Sequence, residues 1–313
     1  MNAQINDRVI NSFYRELVFN WKQKGIAAKI TGGQACLDYG MAEFTKDLDL
    51  IVSIEDIGLL MGELEKIKFN EATCLYRVGH GSPLSSPWLD GGWTSHFRFF
   101  TKDYLEPSID IFTSPPRVLN STETKQPGLL ASFNTVAEMK KTKRSKDWNF
   151  VSGIGLRMLN EGDKSGIFHI YDCDLLINLV QKCEITEDDI SKRPVLQLAK
   201  KKQALLARAI QTEIDFWKYF DKKRLEIYKN AWIKYFKETK KHPDLEKADL
   251  KTQHKTLLEI AENFLPAFPL QDHGVELLFS EVKKHVMLGL DRELLSYLPN
   301  TSKLERSLIA QRP

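Results

Sequence analysis

The sequence predicts an α+β fold, with an N-terminal domain of strands and flanking helices over residues 1–164 and a helical bundle over residues 165–313. A chain of 313 residues is long for one domain, and 42% apolar with 28% charged residues is typical of globular proteins. Short runs with strand-like alternation cluster in the first third of the chain. Beyond about Gly166 such runs become rare and long helical patterns replace them.

Local patterns predict the elements of the first domain. Apolar residues recur at helical spacing from Ile5 to Trp21 and stop before Gly25, which indicates an amphipathic first helix. "AAKIT" and "DLDLIV" predict strands, and "QACLDYG" between them predicts a brief helix that ends at Gly40. "DIGLLMGELEKI" predicts a helix, whereas "SHFRFF" and "SIDIF" alternate as half-buried strands do.

Longer segments complete the prediction. "VGHGSPLSSPWLDGGW" is rich in Gly, Pro and Ser and predicts a loop. "GLLASFNTVAEMKKTKRSKDWNFVSGIGLRML" predicts helix, as do "VLQLAKKKQALLARAIQTEIDFWKYFDKKRLEIYKNAWIKYFKET" and "GVELLFSEVKKHVMLG" in the second domain.

Composition bounds the class of protein. No stretch approaches the ~18 apolar residues of a membrane span, and the first residues lack the basic-then-apolar pattern of a signal peptide. The 4 cysteines form no CxxC pair, which favours reduced thiols over a zinc site or disulfides. We therefore expect a cytoplasmic protein with no membrane partner. Because the net charge is only +3, a nucleic-acid partner would need a local basic surface.

Two aspartates in "DLDLIV" are the main candidates for chemistry. Side chains at i and i+2 of a strand share a face, so Asp47 and Asp49 are expected side by side. Neighbouring anions force proton uptake unless a cation lies between them, and hard oxygen ligands suit Mg²⁺ or Mn²⁺. Asp110 interrupts "SIDIF" in the same way. The pattern predicts a metal site built from these three carboxylates.

A glycine pair, Gly32 and Gly33, precedes the brief helix. Backbone without a side chain can approach a phosphate closely, and free N–H groups at a helix start favour an anion. We expect metal and phosphate to meet there, and Gly33→Ala to weaken triphosphate binding more than folding. The alternatives are that the glycines form only a turn, and that the Asp-x-Asp pair is a solvated strand edge or a cap.

Several other residues of the first domain are weaker candidates for a functional role. His80 and His96 could be general acids or bases, but a lone histidine is more often a surface or core residue. Arg98 alternates with His96 on a strand expected beside "SIDIF", so it could reach a phosphate. Trp88 and Trp93 could stack on a base, or they could pack beneath the predicted loop.

Two basic segments are candidate phosphate ligands. Lys140, Arg144 and Lys146 could neutralise a triphosphate, whereas Lys143 between them fits a solvated helix face. Residues 191–250 carry 16 Lys and Arg against 8 Asp and Glu, interleaved with aromatic residues, which suits a nucleic-acid backbone. The same pattern fits a helical bundle with an aromatic core and a basic solvated face.

The spacing of these motifs resembles a known signature. Gly32 and Gly33, thirteen intervening residues and then "DLDL" look like the nucleotidyltransferase superfamily with the DNA polymerase β type fold. "ITGGQACLDYG", "FTKDLDLIV" and "AEMKKTKRSKDW" are similar to the AbiEii-type toxin family of bacterial nucleotidyltransferases, over roughly residues 1–160. The resemblance implies a polymerase-β-like domain with a mixed sheet, a nucleoside triphosphate substrate with Mg²⁺ and nucleotidyl transfer. For some members it also implies tRNA as the acceptor and a separate antitoxin as a partner.

The resemblance also implies roles by position. Gly32 and Gly33 would hold the triphosphate, Asp47 and Asp49 would ligate both metal ions, and Asp110 would ligate the catalytic metal near the attacking hydroxyl.

Two positions depart from the family pattern. Lys146 and Asp147 match the start of its Lys-Asp-x-x-Asp motif, but the last position is Phe150. Glu43 stands where relatives often place an arginine. Because the acid at the position of Phe150 is proposed as a base in relatives, Asp110 would have to take that role, or activity would be reduced or lost.

Three hypotheses of different classes follow. The leading one is a metal-dependent nucleotidyltransferase with a toxin-like activity on RNA such as tRNA; a small antibiotic or a protein is an alternative acceptor. The second is a catalytically silent nucleotide-binding protein, suggested by Phe150. The third is a nucleic-acid-binding protein that uses the basic helical bundle.

Overall fold

The computed structural model describes residues 2–42, 45–99, 107–118, 123–288 and 292–310. Within them the chain has an α+β fold with a six-stranded mixed sheet and many helices. The chain divides into two compact units. The first, the sheet unit, comprises Met1–Pro116, Asn120–Ser132 and Tyr228–Pro269. The second, the helical unit, comprises Arg117–Leu119, Phe133–Ile227 and Leu270–Pro313. The domain boundary after residue 164 stays a prediction.

The strands are β1 (Ala28–Thr31), β2 (Asp47–Val52), β3 (Lys68–Phe69), β4 (Ala72–Gly81), β5 (Ser95–Phe99) and β6 (Ser108–Phe112). The α-helices are α1 (Asn2–Gln23), α2 (Gly32–Asp38), α3 (Ile57–Leu64), α4 (Ser86–Asp90), α5 (Phe133–Lys140), α6 (Asp147–Asn160), α7 (Cys173–Val180), α8 (Glu187–Lys192), α9 (Val195–Lys201), α10 (Leu206–Thr239), α11 (Leu250–Phe264), α12 (Pro269–His273), α13 (Val275–Met287) and α14 (Ser302–Ala310). Among the described helices, none is both long and apolar enough to cross a membrane.

The sheet has the strand order β1-β2-β6-β5-β4-β3. β2 and β6 pair in parallel, and the other neighbours pair antiparallel. The strands predicted from "AAKIT", "DLDLIV", "SHFRFF" and "SIDIF" are confirmed.

One face of the central strands is apolar and fully buried. Leu48, Ile109 and Phe97 lie directly opposite one another in neighbouring strands, and each has an exposure of 0%. Tyr14 and Trp21 of α1 belong to the same core cluster. Since side chains alternate between the faces of a strand, this burial leaves the intervening residues of β2, β5 and β6 on the other face.

Tyr14 joins the starts of the two parallel strands. Its buried hydroxyl donates to the carbonyl oxygen of Lys46 at 2.5 Å, just before β2, and accepts from the N–H of Ser108 at 3.1 Å, the first residue of β6. A side chain of α1 therefore helps to fix how β2 and β6 lie against each other.

The predicted loop from Val78 to Trp93 is wrong in part. β4 runs to Gly81, and α4 lies within the same segment; β3 and the start of β4 were not predicted. Two of the glycines that suggested a loop, Gly79 and Gly81, lie in β4 instead. Gly79 has a φ of +74°, and a Cβ there would lie 3.0 Å from the ring of Phe236. The need for glycine at position 79 depends on a neighbour far away in sequence, which local patterns do not report.

The single helix predicted over residues 128–159 is also wrong, because it divides into α5 and α6. Thr142 Oγ1 donates to Asp147 Oδ2 at 2.5 Å, and the indole N–H of Trp148 donates to the Thr142 carbonyl at 3.0 Å. Such local side-chain bonds compete with helical hydrogen bonds and form a turn. The run predicted over residues 195–239 likewise divides into α9 and α10, and Lys202, directly after α9, takes a left-handed conformation.

Trp88 and Trp93 pack in the core of the sheet unit, so the packing alternative holds for both. Their exposures are 6% and 5%. The indole N–H of Trp88 donates to the carbonyl of Leu265, and that of Trp93 donates to the carbonyl of Pro266, both at 2.9 Å. These bonds connect residues 228–269 to the segment between β4 and β5 of the same unit.

The helical unit contains a buried ion pair. Arg193 Nε lies 3.0 Å from Glu213 Oε2, and each side chain is only 3% exposed. The Tyr171 hydroxyl donates to Glu213 at 3.1 Å, and Arg193 Nη1 donates to the Ile167 carbonyl at 2.8 Å. Burying charges costs free energy unless they are paired and hydrogen-bonded, as these are.

We expect Tyr14→Phe to lower the free energy of unfolding by about 1–3 kcal/mol, because it leaves two backbone groups of the strand starts without a partner. Denaturant titration measures the change. Tyr297→Phe is the matched control, since the Tyr297 hydroxyl makes no hydrogen bond within the described ranges. Equal stability of the two variants would contradict the joining role of Tyr14.

Candidate active site

Polar side chains form two rows across one face of β2, β6 and β5. The first row consists of Asp49, Asp110 and His96, and the second of Asp47, Ser108 and Arg98. Neighbours within a row lie directly opposite each other in the strand register, so about 4.8 Å separates their strands. All six are partly exposed, while the residues that alternate with them are buried. The fold therefore places the three predicted carboxylates on one face of two neighbouring strands.

Two of the carboxylates are held by neighbours in their own rows. Ser108 Oγ donates to Asp47 Oδ1 at 2.5 Å, and His96 Nδ1 donates to Asp110 Oδ1 at 2.6 Å. The His96 and Asp110 side chains are 26% and 28% exposed. Within the described ranges, Oδ2 of Asp47 and Oδ2 of Asp110 make no hydrogen bond or ion pair. Asp47 and Asp110 are thus each fixed through one carboxylate oxygen.

The charges of all three carboxylates affect the pKa of the Tyr14 hydroxyl. Burial raises the pKa of its hydroxyl well above the ordinary value, and the negative charges of Asp47, Asp110 and Asp49 raise it further, against the hydrogen bond from Ser108. The Tyr14 hydroxyl therefore remains a neutral donor beside the carboxylates.

The glycine pair is fitted to the side chains around it. Gly32 has a φ of +61°, and a Cβ there would lie 1.8 Å from Asp49 Oδ2. A Cβ on Gly33 would lie 2.8 Å from Thr45 Oγ1, and Gly33 has no left-handed φ. Gly32 is therefore the stricter position, because both its backbone conformation and its space exclude a side chain.

The donor set fits a hard divalent cation in its chemistry. Carboxylate oxygens are the ligands that Mg²⁺ and Mn²⁺ prefer, and the Asp49 carboxylate fills the space that a Cβ on Gly32 would need. Across the described ranges, no three His, Cys, Asp or Glu side chains converge closely enough to enclose an ion. Asp47 and Asp110 are instead turned toward Ser108 and His96 through one oxygen each.

The predicted triphosphate cations belong to the helical unit. Arg144 Nε lies 2.8 Å from Asp147 Oδ2, whose side chain is 2% exposed. Lys140 Nζ lies 5.8 Å from the centre of the Phe150 ring, and Lys146 is exposed. Their contact with a triphosphate stays a prediction. Glu43, the second departure from the family pattern, lies outside the described residues.

The contacts of Ser108 and Tyr14 with this site were not predicted from the sequence. His96 was expected more often to be a surface or core residue than an acid or base. The same-face rule that paired Asp47 with Asp49 also pairs Ser108 with Asp110, so Ser108 could have been found. No local signal marks Tyr14, which lies 32 residues from Lys46 and 94 residues from Ser108 in sequence. His80 lies on β4; burial, followed by the positive charges of Arg77 and His96, lowers its pKa.

Comparison of the chain with models of protein families, with curated proteins and with solved structures found no match.

Substitution by alanine should lower folding stability to different extents at the two glycines. Gly32→Ala forces a left-handed conformation on a residue with a Cβ and displaces Asp49, so we expect a loss of at least about 1–3 kcal/mol of folding stability. The φ at position 33 is ordinary, and an added Cβ there collides only with Thr45. The loss of folding stability in Gly33→Ala should therefore be smaller. Thermal melts and denaturant titrations measure both.

The double variant Gly33→Ala, Thr45→Ala provides the control. Removing Thr45 Oγ1 should restore most of the stability that Gly33→Ala loses, and it should have no such effect on Gly32→Ala. A larger loss for Gly33→Ala than for Gly32→Ala would contradict this account of the pair.

Proposed function

We propose that the chain is a metal-dependent nucleotidyltransferase with a polymerase-β-like sheet domain. It transfers a nucleotidyl group from a nucleoside triphosphate to an acceptor hydroxyl, with RNA such as tRNA as the expected acceptor, and it acts in a toxin-like manner in the cytoplasm. A separate antitoxin is the partner that the family resemblance implies. One observation carries the proposal: Asp47, Asp49 and Asp110 lie on one face of two parallel neighbouring strands, beside a glycine that excludes any side chain.

The chemistry is an in-line displacement at the α-phosphorus. The acceptor oxygen forms a bond to phosphorus, the bond to the β-phosphate oxygen breaks, and pyrophosphate leaves. Asp47 and Asp49 would hold Mg²⁺ or Mn²⁺ jointly, and Asp110 would hold the catalytic ion. When bound, these ions supply charge stabilisation at the phosphoryl oxygens and a lowered pKa for the attacking hydroxyl. Asp110 takes the proton of that hydroxyl in this assignment, because Phe150 offers no carboxylate.

The remaining residues of the site have supporting roles. Ser108 and His96 orient Asp47 and Asp110 through the bonds described above. Arg98, in the same row as Asp47, would contact a phosphate oxygen, for which a guanidinium is well suited. Gly32 lets the backbone pass close to Asp49 and to a bound triphosphate.

One observation favours the second hypothesis, a silent nucleotide-binding protein. The family's last motif position is filled by the Phe150 ring, and the ammonium group of Lys140 lies over that ring. A side chain without a proton acceptor stands where relatives have an acid. Nucleotide binding without any label transfer by the wild-type protein would select this alternative.

The transfer test uses each α-labelled nucleoside triphosphate with Mg²⁺ and total RNA, followed by separation of the labelled products. We expect labelled RNA, and we expect Asp47→Asn to lower transfer by at least about 100-fold, because even partners of metal ligands contribute about 10- to 100-fold. Stability should not fall, since removing one of several clustered anions relieves repulsion. Asp244→Asn, exposed in the same unit, is the control and should transfer normally. Normal transfer by Asp47→Asn would contradict the proposed site.

His96 should act on metal affinity through Asp110. We expect His96→Ala to weaken Mn²⁺ binding by about 10- to 100-fold, as loss of a hydrogen bond to a ligand typically does. His96→Asn keeps a donor and should recover part of the affinity. Electron paramagnetic resonance of free Mn²⁺ measures binding without any turnover. His80→Ala is the control, and equal affinity in all three variants would show that His96 does not position Asp110.

A further inference from the structure

The helical unit has a cavity of about 430 Å³ that plays no part in the proposed transfer. Besides Thr212 and Val286, its lining consists of Lys143, Asp215, Lys218, Tyr219, Lys222 and His285. Four of these follow the spacing i, i+3, i+4 and i+7 on α10, so they share one face of that helix. Lys143 comes from the turn between α5 and α6, and His285 comes from α13. The volume lies in the range of small-molecule sites, about 300–1,000 Å³.

The three lysines of this cavity form no ion pair with another described residue. Within the described ranges, none of Lys143, Lys218 and Lys222 has a carboxylate at ion-pair distance; Lys218 Nζ contacts only Ser145 Oγ, at 3.2 Å. The next two cations on α10 differ: Lys223 lies 3.4 Å from Glu281, and Arg224 lies 3.2 Å from Asp221.

One acid lines the same cavity. Asp215 Oδ1 accepts from Gln211 Nε2 at 3.0 Å, and no lysine of the cavity pairs with it within the described ranges. Three lysines against one aspartate leave a net positive charge of two. The cavity therefore suits an anion.

An aromatic wall stands beside the lysines. The rings of Tyr219 and His285 stack with centroids 3.6 Å apart and planes 6° apart. Lys222 Nζ lies 5.9 Å from the centre of the Tyr219 ring. His285 is exposed, so its ring can accept a further flat group. Aromatic faces of this kind stack on nucleobases.

We infer that this cavity binds a nucleotide unit, with its phosphate on Lys143, Lys218 and Lys222 and its base against the Tyr219–His285 pair. Lysine ammonium groups are mobile point charges that suit phosphate oxygens, and the stacked rings add affinity that is tolerant of base identity. The nucleotide unit comes either from single-stranded RNA or from a free nucleotide, and the test distinguishes the two. The inference goes beyond the proposed transfer and does not depend on it.

The test uses the full-length protein in EDTA, so that no divalent ion contributes to binding. Fluorescence anisotropy follows a labelled single-stranded RNA of ten nucleotides, and calorimetry follows AMP and ATP. The variants are Lys218→Gln with Lys222→Gln, and His285→Ala. The matched control is Lys200→Gln with Lys201→Gln, two exposed lysines at the end of α9 in the same unit. Thermal melts verify that each variant is folded.

We expect the Lys218/Lys222 variant to bind at least about tenfold more weakly and the His285 variant at least about fivefold more weakly. For RNA, the salt slope should fall by about 1.4, since each phosphate contact with a single strand contributes about 0.7. Binding of RNA alone identifies a strand as the source, and binding of AMP or ATP identifies a free nucleotide. Either result supports the inference.

The inference is overturned if the wild type binds neither ligand, if the Lys218/Lys222 variant binds as the wild type does, or if the Lys200/Lys201 control loses as much affinity. Asp47→Asn separates this site from the transfer site. Retained binding in that variant, with transfer lost, shows two independent sites. Binding that disappears with Asp47→Asn would place the nucleotide elsewhere and overturn the inference.

Discussion

The parallel pairing of β2 with β6 is the constraint on which the candidate site depends. It places Asp49 directly across from Asp110 and Asp47 across from Ser108. A slip of one residue would turn Asp110 toward the apolar core and bring Ile109 or Ile111 to the polar face, because side chains alternate with a period of two. Tyr14 opposes such a slip, since its hydroxyl bonds to the backbone at the start of both strands.

The same alternation explains how a buried sheet can carry so many polar groups. Leu48, Ile109 and Phe97 fill the core from one face, which stabilises the strands that carry carboxylates on the other. The carboxylates repel one another, and that cost is offset partly by the hydrogen bonds from Ser108 and His96. The hydrogen bonds within each row therefore fix the positions of Asp47 and Asp110.

Much of this arrangement follows from the sequence, and the part that does not is long-range. The alternation in "DLDLIV" and "SIDIF" predicts the strands and the faces of their aspartates. It does not predict which strands are neighbours, so the contact of His96 with Asp110 required the β5–β6 register. The glycines of β4 were misread for the same reason: Gly79 is needed where the Phe236 ring approaches, 157 residues later in the chain.

The segment from Thr142 to Phe150 forms the turn between α5 and α6 and the start of α6. Asp147 is buried and engaged by Thr142 and Arg144, so in this chain it organises the turn between α5 and α6. Phe150 contacts Lys140 instead of offering a carboxylate. The demand for acidic chemistry in the proposed transfer therefore falls on the three strand aspartates alone. The turn that Asp147 stabilises also presents Lys143 to the cavity of the helical unit, which gives the segment a structural part in a second site.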